Sequence, residues 1–264
     1  MKVLIIGAKG MLGQELISVF TASDHVLAWD REEIDITRPQ EILKGQIREA
    51  LPDLLINAAA YNDVDGAEQK SAMAYGLNGY AVGNLAAICK TLGIAMVQFG
   101  TDYVFDGSNK DGYREDDEPA PLSIYGKSKL LGEVELQKNT DQFYLIRLSR
   151  LFGRPALSAT GKKSFVELML ERGRAGQETE VVDGEVASPT HALDLARRTR
   201  DMVEQNRPFG IYHCANSGAC TWFGLAREIF RVAGFDANLL KPVPGSHFPR
   251  PAKRPEFSIL LNKK

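Results

Sequence analysis

The sequence predicts an α/β protein with a doubly wound parallel sheet, because short apolar runs alternate with longer amphipathic runs through residues 1–149. The apolar runs are nearly continuous, as expected of parallel strands that are covered on both faces. Strands are predicted at 2–6, 25–29, 53–57, 94–99 and 143–148, and helices at 11–22, 38–50, 66–92 and 123–138.

Local signals support the ends of these elements in chain order. The first strand leads into a glycine-rich turn, from which the first helix starts. Pro39 lies near the first turn of the second helix, a position that proline favours. Gly93 follows the helix that ends near Leu92, since glycine readily takes the left-handed conformation there.

After about residue 149 the alternation becomes less regular. The sequence predicts an irregular loop over 153–163, helices at 164–174, 190–205 and 221–233, and strands near 179–182 and at 209–214. The last thirty residues contain five prolines and are expected to wrap over the molecule. We therefore predict a domain over 1–149 and a smaller mixed α/β region over 150–264, with some chain crossing between the two.

Composition excludes several classes of partner. The net charge is -2, which argues against a nucleic-acid or anionic-membrane surface. No apolar run approaches the roughly 18 residues of a membrane span. Cys89, Cys214 and Cys220 form no CxxC motif, and the histidines share no metal-ligand spacing, so we expect reduced thiols, a cytoplasmic protein and no metal.

The first strand ends at a glycine loop, Gly7-Ala8-Lys9-Gly10-Met11-Leu12-Gly13. Gly7 permits a tight turn, Gly10 lets backbone amides approach a pyrophosphate, and Gly13 lets the helix pack close to the strand. Such spacing also occurs by chance. Asp30, at the end of the second strand, strengthens the interpretation because a carboxylate there binds the adenosine ribose. The residues therefore predict a Rossmann-type dinucleotide-binding domain over 1–149.

The choice between NAD and NADP stays open at this point. Asp30 is also explained as a solvated loop carboxylate, and the neighbouring Arg31 can accept a 2′-phosphate. We therefore predict a cofactor that is either NADPH or NADH.

The second motif is Tyr125-Gly126-Lys127-Ser128-Lys129, which places a phenol and an ammonium on one helix face. A neighbouring cation favours phenolate, so we expect Lys129 to lower the pKa of Tyr125. Such a phenol can donate a proton to a developing alkoxide. Together the two motifs predict a nicotinamide-dependent oxidoreductase.

The motifs resemble those of the extended short-chain dehydrogenase/reductase superfamily and, within it, the dTDP-4-dehydrorhamnose reductase family. The resemblance covers essentially the whole chain, and the segment at 101–107 is its most specific part. The segments that carry it are Asn57–Ala60, Val64–Glu68, Thr101–Gly107, Tyr125–Lys129, Ser188–Thr190 and Arg254-Pro255 with Ser258 and Leu260.

The resemblance implies an NAD(P)H-dependent reductase that converts dTDP-4-dehydro-L-rhamnose to dTDP-L-rhamnose, acting as a homodimer. It implies that Tyr125 is the catalytic acid, that Lys129 assists it and binds the nicotinamide ribose, and that Thr101 donates to the reacting oxygen. Asp102 matches a sugar-contacting position. The positions expected to bind the cofactor are Gly7, Gly10, Met11, Leu12, Gly13, Asp30, Arg31, Asp35, Ile36, Ala59, Ala60, Tyr61, Tyr125 and Lys129.

Several residues depart from the family pattern. Gly100 stands where relatives have Ser, and Arg150 stands where relatives have a Trp that lines the sugar pocket. Arg150 is expected to bind an acidic group or the diphosphate of the substrate, with a surface arginine as the alternative. The segment at 183–190 is also altered. These changes leave the exact sugar open.

Two further segments have competing interpretations. The acidic segment at 106–118 is either a solvated excursion or a flap over the substrate. Asp65 and Glu68 are expected to cap the N-terminus of a helix and to place negative charge there. The alternatives for the whole chain are another nucleotide-sugar reductase or epimerase, and a non-catalytic subunit that resembles the regulatory subunit of methionine adenosyltransferase.

Overall fold

A computed structural model describes residues 1–158 and 163–264 of the chain. Residues 159–162, within the loop predicted at 153–163, lie outside the described residues. The strands are β1 (Lys2–Ile6), β2 (His25–Trp29), β3 (Leu54–Asn57), β4 (Ala95–Phe99), β5 (Phe143–Arg147), β6 (Leu151–Phe152), β7 (Thr179–Val182), β8 (Val186–Ala187), β9 (Thr190–His191), β10 (Gly210–His213), β11 (Cys220–Thr221), β12 (Leu240–Val243) and β13 (Phe257–Ser258).

Helices cover both faces of the main sheet. They are α1 (Met11–Phe20), α2 (Gln40–Ala50), α3 (Val64–Gln69), α4 (Ser71–Tyr75), α5 (Ala81–Leu92), α6 (Ile124–Asn139), α7 (Phe165–Arg174), α8 (Ala192–Glu204) and α9 (Trp222–Ala233), with a π-helical segment at Gly76–Tyr80 between α4 and α5. Short 3₁₀ turns lie at Asp102–Val104, Ala237–Leu239 and Gly245–His247. None of the helices in the described part of the chain is long and apolar enough to cross a bilayer.

The main sheet is parallel, with the strand order β10-β5-β4-β3-β1-β2. Buried aliphatic side chains fill both of its faces, as the continuous apolar runs predicted. The strand order reverses between β1 and β3, which pair in parallel with Val3 opposite Leu54. In such sheets the ligand cleft lies beyond the carboxyl ends of the strands at this reversal.

The predicted fold class is confirmed, and the predicted strands and helices are present with ends that differ by one or two residues. The helix predicted at 66–92 is an exception, because it is divided at Lys70 and contains the π-helical segment. The short strands β6, β8, β9, β11, β12 and β13 had no counterpart in the prediction.

The second half of the chain contributes to the main sheet and also builds smaller layers. Strand β10 is the edge strand beside β5, and α8 packs on α1. The strands β11, β8 and β13 form a three-stranded sheet, and β12 pairs with β7. A separate small core under α7 and α9 includes Met169, Val181 and Phe230. The final residues lie over the rest of the molecule as predicted, and they include the two short strands β12 and β13.

Candidate functional site

The glycine loop lies at the reversal of strand order and is packed directly against the loop that follows β3. Gly7 has a positive φ of 84°, and a Cβ atom there would lie 2.7 Å from the backbone nitrogen of Ala59. A Cβ atom on Gly13 would lie 2.1 Å from the carbonyl oxygen of Gly7. Gly10 is the N-cap residue of α1. The loop is therefore shaped by close backbone contacts, and the amides of the α1 N-terminus fit a pyrophosphate there.

Asp30 faces this loop at the end of β2. Its Oδ2 accepts a hydrogen bond from the backbone nitrogen of Lys9 at 2.8 Å, and its Oδ1 accepts one from the backbone nitrogen of Arg31 at 2.9 Å. The Lys9 Nζ lies 2.5 Å from Glu32 Oε1. Asp30 is therefore hydrogen-bonded to the glycine loop while remaining partly exposed, and its role at the ribose stays a prediction.

The other predicted cofactor positions are spread around this loop. Asp35 accepts hydrogen bonds from the backbone nitrogen and the hydroxyl of Thr37, which lower the pKa of its carboxyl group. Ile36 is buried in the core beside Ala59. Met11 and Leu12 start α1, Arg31 is exposed, and Ala59, Ala60 and Tyr61 follow β3.

A buried asparagine that the sequence did not single out connects this region to the second motif. Asn78, in the π-helical segment, accepts from the backbone nitrogen of Tyr61 at 2.8 Å and donates to its carbonyl oxygen at 3.0 Å. The same amide donates to Ser128 Oγ at 3.0 Å, and Ser128 donates to the carbonyl oxygen of Tyr125 at 2.7 Å. π-helical segments are rare and frequently mark functional sites. An asparagine inside a helical run was the only sequence signal for this residue.

Tyr125 lies in the first turn of α6, which Ser123 caps by accepting from Gly126 at 3.1 Å. A Cβ atom on Gly126 would lie 2.3 Å from the carbonyl oxygen of Tyr103, so glycine is what lets this turn pack on the segment after β4. The ring of Tyr125 packs edge-on against the ring of Tyr103, with the ring centroids 5.6 Å apart, and the Thr101 hydroxyl is near enough to influence the pKa of the phenol.

The predicted lowering of the Tyr125 pKa is wrong in this structure. Burial raises the pKa of Tyr125 to about 12, the hydrogen bond with Thr101 lowers it in part, and the charge of Asp102 raises it further. The prediction rested on the cation four residues away, but burial of the phenol is the largest influence on its pKa, and Lys129 is not among the groups that shift it. Tyr125 is therefore protonated at neutral pH.

Lys129 is 6% exposed, and its Nζ donates to the carbonyl oxygen of Phe99 at 2.6 Å. Burial lowers the pKa of Lys129 to about 8, while the charge of Glu133 raises it. The carbonyl of Phe99 ends β4, just before Thr101, so the ammonium lies at the same sheet edge as the two hydroxyl groups.

Asp102 is 3% exposed and is held between two hydroxyl groups. Ser258 of β13 donates to its Oδ2 at 2.6 Å, and Thr101 donates to its Oδ1 at 3.1 Å. Burial raises the pKa of Asp102 to about 6, and the Ser258 hydrogen bond and the charge of Arg150 oppose that rise. The final strand of the chain thus contacts the site directly.

Arg150 has a positive φ of 44° and turns into the protein. Its guanidinium donates to the carbonyl oxygens of Cys220 and Glu185, both at 2.7 Å, and lies 4.0 Å from the centre of the Trp222 ring. The alternative of a surface arginine is therefore wrong. The guanidinium packs on the ring of Trp222, and the two side chains together form a wall. The sequence indicated only that Arg150 takes the place of the Trp that lines the sugar pocket in relatives.

Glu185 holds the groups around Arg150 together, which the sequence did not predict. Its carboxylate accepts from the indole nitrogen of Trp222 at 3.1 Å and pairs with Arg250. Trp222 starts α9, and Arg250 lies in the proline-rich segment before β13. We call Arg150, Glu185, Trp222 and Arg250 the arginine wall.

Two other predictions need correction. The segment at 106–118 is only partly a solvated excursion, because Tyr113 is 6% exposed and Glu115 is 5% exposed and Tyr113 pairs with Leu260, while its role as a flap over the substrate stays a prediction. Asp63 caps α3, so the predicted capping by Asp65 or Glu68 is wrong, but Asp65 lies in the first turn of α3 and supplies the predicted negative charge at that helix start. Asp65 pairs with Arg254 at 2.7 Å, and Glu68 accepts from the backbone nitrogen of Ile124 at the start of α6.

Known proteins resemble this chain over its full length. A family model described as "RmlD substrate binding domain" matches residues 1–264. A dTDP-4-dehydrorhamnose reductase of Burkholderia thailandensis is 34% identical, over 100% of this chain and 91% of the relative. The chain belongs to the dTDP-4-dehydrorhamnose reductase family.

Relatives within this family differ in their sugars. A probable dTDP-4,6-dihydroxy-2-methyloxan-3-one 4-ketoreductase of Streptomyces antibioticus is 37% identical, over 98% of this chain and 86% of the relative. The crystal structure of a dTDP-4-dehydrorhamnose reductase from Bacillus anthracis in complex with NADP has a TM-score of 0.93 at 32% identity. The match covers 99% of this chain and 90% of that one.

Proposed function

We propose that the protein reduces the C4 keto group of a nucleotide-linked 4-keto-6-deoxy sugar, with NADPH or NADH as the hydride source. The leading substrate is dTDP-4-dehydro-L-rhamnose, by analogy with the reductase relatives. The observation that carries this proposal is that Thr101, Tyr125 and the buried Lys129 meet at the carboxyl end of β4, where the Lys129 ammonium donates to the carbonyl oxygen of Phe99. A keto oxygen needs such donors as it becomes an alkoxide.

Tyr125 is the proposed acid, and Thr101 is the second donor to the same sugar oxygen. A phenol kept protonated by burial carries its proton until an alkoxide, which is a much stronger base than phenolate, forms beside it. The charge of Lys129 then stabilises the phenolate that remains. Tyr125 is therefore protonated at neutral pH, as an acid must be before it donates.

The glycine loop is the proposed cofactor site. Close backbone contacts at Gly7 and Gly13 fix the shape of the loop. The backbone amides at the N-terminus of α1 then suit a pyrophosphate. A bound nicotinamide cofactor would supply the hydride. Asp30 would hold the adenosine ribose, and Lys129 the nicotinamide ribose. The remaining predicted positions, from Met11 to Tyr61, are proposed to line the same cleft.

Asp102 and the arginine wall are the proposed sugar end of the cleft. Asp102 is hydrogen-bonded to Thr101, and the charge of Arg150 influences its pKa, which supports placing both groups at this end of the cleft. Charge-assisted hydrogen bonds are strong and directional, which suits recognition of a sugar diphosphate or an oxidised sugar. A reductase for a different 4-keto sugar is the second candidate, favoured by Arg150 in place of the family's Trp.

The decisive experiment is NADPH and NADH consumption with a panel of nucleotide-linked 4-keto-6-deoxy sugars, each followed by identification of the product. We expect turnover with at least one sugar, and dTDP-L-rhamnose as the product from dTDP-4-dehydro-L-rhamnose. Turnover with another sugar alone would select the second candidate. Cofactor binding without consumption across the panel would reject the reductase and support a regulatory subunit.

We also propose that residues 1–149 bind the cofactor and that residues 150–264 form most of the sugar end of the cleft.

We propose further that the protein works as a cytoplasmic homodimer. The exposed apolar side chains of Tyr80, which is 61% exposed, and Val134, which is 49% exposed, support an association surface near α5 and α6. Analytical ultracentrifugation and cell fractionation test these points, and a monomer at micromolar concentration would reject the dimer.

A further inference from the structure

A buried ion pair lies behind Lys129 and is not used by the proposed reaction. Glu133 follows Lys129 by one turn of α6, and Arg147 ends β5. Both residues are 2% exposed. Arg147 Nη2 lies 2.7 Å from Glu133 Oε2, and its Nε lies 3.2 Å from each oxygen of that carboxylate. The carboxylate is therefore fixed in one orientation by Arg147, on the helix turn that follows Lys129.

Arg147 is itself held from the other side. Its Nη1 lies 3.4 Å from the carbonyl oxygen of Glu115 and 3.4 Å from His213 Nε2, and its guanidinium stacks over the ring of Phe105 at 5.2 Å. Since a planar guanidinium with this many partners has little freedom, the position of Glu133 is set by three separate segments of the chain.

The space for this ion pair exists because residue 100 is glycine. A Cβ atom at Gly100 would lie 2.7 Å from Glu133 Oε1 and 2.9 Å from Arg147 Cγ. Gly100 is one of the positions at which the sequence departs from the family pattern, and it immediately precedes Thr101. The absence of a side chain there lets the carboxylate lie directly behind the proposed catalytic groups.

Lys129 needs a nearby negative charge because it is buried. Its one hydrogen-bond acceptor among the described residues is the carbonyl oxygen of Phe99. Burial lowers the pKa of Lys129 to about 8, and Glu133 opposes this effect. Without that charge the ammonium would lose its proton more readily, and a neutral amine cannot stabilise a phenolate.

We propose that Glu133, fixed by Arg147, is a positioning residue that keeps the buried Lys129 side chain charged and in place. The importance of this role for catalysis rests on the proposed function. The charge state of Lys129 can be measured without that function.

Other ionisable groups surround α6 and must be distinguished from Glu133. Among the described residues, Glu133 is the charge that supports the Lys129 ammonium against burial. The other ionisable groups on α6 are Tyr125, Lys127, Glu135 and Lys138. Those on the elements packed against α6 are Asp65 and Glu68 on α3, Tyr75 on α4, Tyr80 in the π-helical segment, Cys89 and Lys90 on α5, Asp102 and Tyr103 in the turn after β4, and Tyr144 and Arg147 on β5.

The direct test is a pH titration of the Lys129 ¹³Cε resonance in protein with labelled lysine, with Lys129→Met to assign the signal. We expect E133Q to lower the pKa of Lys129 by about one unit or more, as expected for loss of a nearby opposite charge. E133D keeps the charge and should restore most of the shift. E135Q, on the same helix, is the matched control and should leave the titration unchanged.

The kinetic test is the dependence of kcat on pH for the same variants with the sugar identified in the panel. E133Q should move the alkaline limb of the profile to lower pH by the amount seen in the titration, with little change in KM. If the wild-type protein reduces no sugar, the proposed function fails, and the titration still decides whether Glu133 controls the charge of Lys129.

E133Q leaves Arg147 buried without its partner, and such a variant can fail to fold. The double variant E133Q/R147M removes both charges, and its circular dichroism and melting curve should match the wild-type protein more closely. Its Lys129 should still titrate at lower pH than in the wild-type protein. The proposal is overturned if the pKa of Lys129 equals the wild-type value in every folded variant that lacks the Glu133 carboxylate. The ion pair would then have a structural role only.

Discussion

The two ends of the cleft are built in different ways. At the proposed cofactor end the backbone determines the shape of the cleft, because backbone atoms around Gly7 and Gly13 leave no room for a side chain. At the proposed sugar end, side chains decide the shape, because the arginine wall is held by stacking and by hydrogen bonds between distant segments. A side-chain wall can be rebuilt by a few substitutions, whereas the backbone loop tolerates very few.

This difference teaches which part of the molecule carries the reaction type and which part carries specificity. Under the proposed function, the backbone-shaped loop binds the cofactor, which is the constant part of the reaction, and the side-chain wall binds the sugar, which can vary. Variants at the two ends should therefore have separable effects. Changes in the arginine wall should alter the KM for the sugar, and changes at Asp30 should alter the choice of cofactor.

The largest expected effect lies between the two ends, at Tyr125. Tyr125→Phe keeps the ring that packs against Tyr103 but removes the proton. We expect kcat to fall on the order of 10²-fold or more, because general acid catalysis is lost. The measurement is steady-state NAD(P)H consumption, together with cofactor affinity from NAD(P)H fluorescence.

The affinity for NAD(P)H should remain nearly unchanged in this variant, since the glycine loop does not depend on the phenol. Thr101→Val is a useful companion, because it removes the other hydroxyl of the pair and should also reduce kcat. Retention of most activity by Tyr125→Phe would remove Tyr125 as the acid.

The same division explains what the sequence could and could not predict. The main sheet was predictable because its strands are long apolar runs between amphipathic helices. Two-residue strands such as β8 exist only because β11 and β13 pair with them, and no local pattern encodes that pairing. The contacts of Arg150 likewise depend on carbonyl oxygens 35 and 70 residues away in the chain.

The pKa of Tyr125 shows a second limit of sequence reasoning. The spacing of Tyr125 and Lys129 correctly placed both on α6, but the sign of the pKa shift depends on burial by other segments. Glu133, Arg147 and Asn78 were missed for a related reason. Each is a buried polar residue whose partner lies far away in the sequence, so its role becomes visible only once the elements are packed.

The second prediction concerns Arg150 at the sugar end. A charge-assisted hydrogen bond contributes roughly 1.5–3 kcal/mol. We therefore expect Arg150→Ala to raise the KM for the sugar on the order of 10- to 100-fold, through loss of the wall and of any contact with the substrate. The affinity for NAD(P)H should not change.

Arg150→Lys is the matched control, because it keeps the charge but cannot donate to both carbonyl oxygens or stack flat on Trp222. Kinetics close to those of Arg150→Ala would mean that the planar guanidinium matters more than its charge. If neither variant changes the kinetics with any nucleotide sugar, the arginine wall does not contribute to specificity and the comparison between the two ends fails.

The smallest expected effect is at Asp30, where charge and geometry can be separated. We expect the wild-type protein to use both cofactors, because Asp30 suits the ribose of NAD and Arg31 suits a 2′-phosphate. Asp30→Asn removes the repulsion of a 2′-phosphate but keeps an oxygen that can accept from the backbone nitrogen of Lys9. The ratio of kcat/KM for NADPH to that for NADH should therefore rise by about tenfold, which corresponds to roughly 1.4 kcal/mol. Asp30→Ala should move the ratio in the same direction but weaken both cofactors, because the loop loses its acceptor. Arg31→Gln should move it in the opposite direction, and a shift of Asp30→Asn towards NADH would show that this carboxylate does not face the ribose.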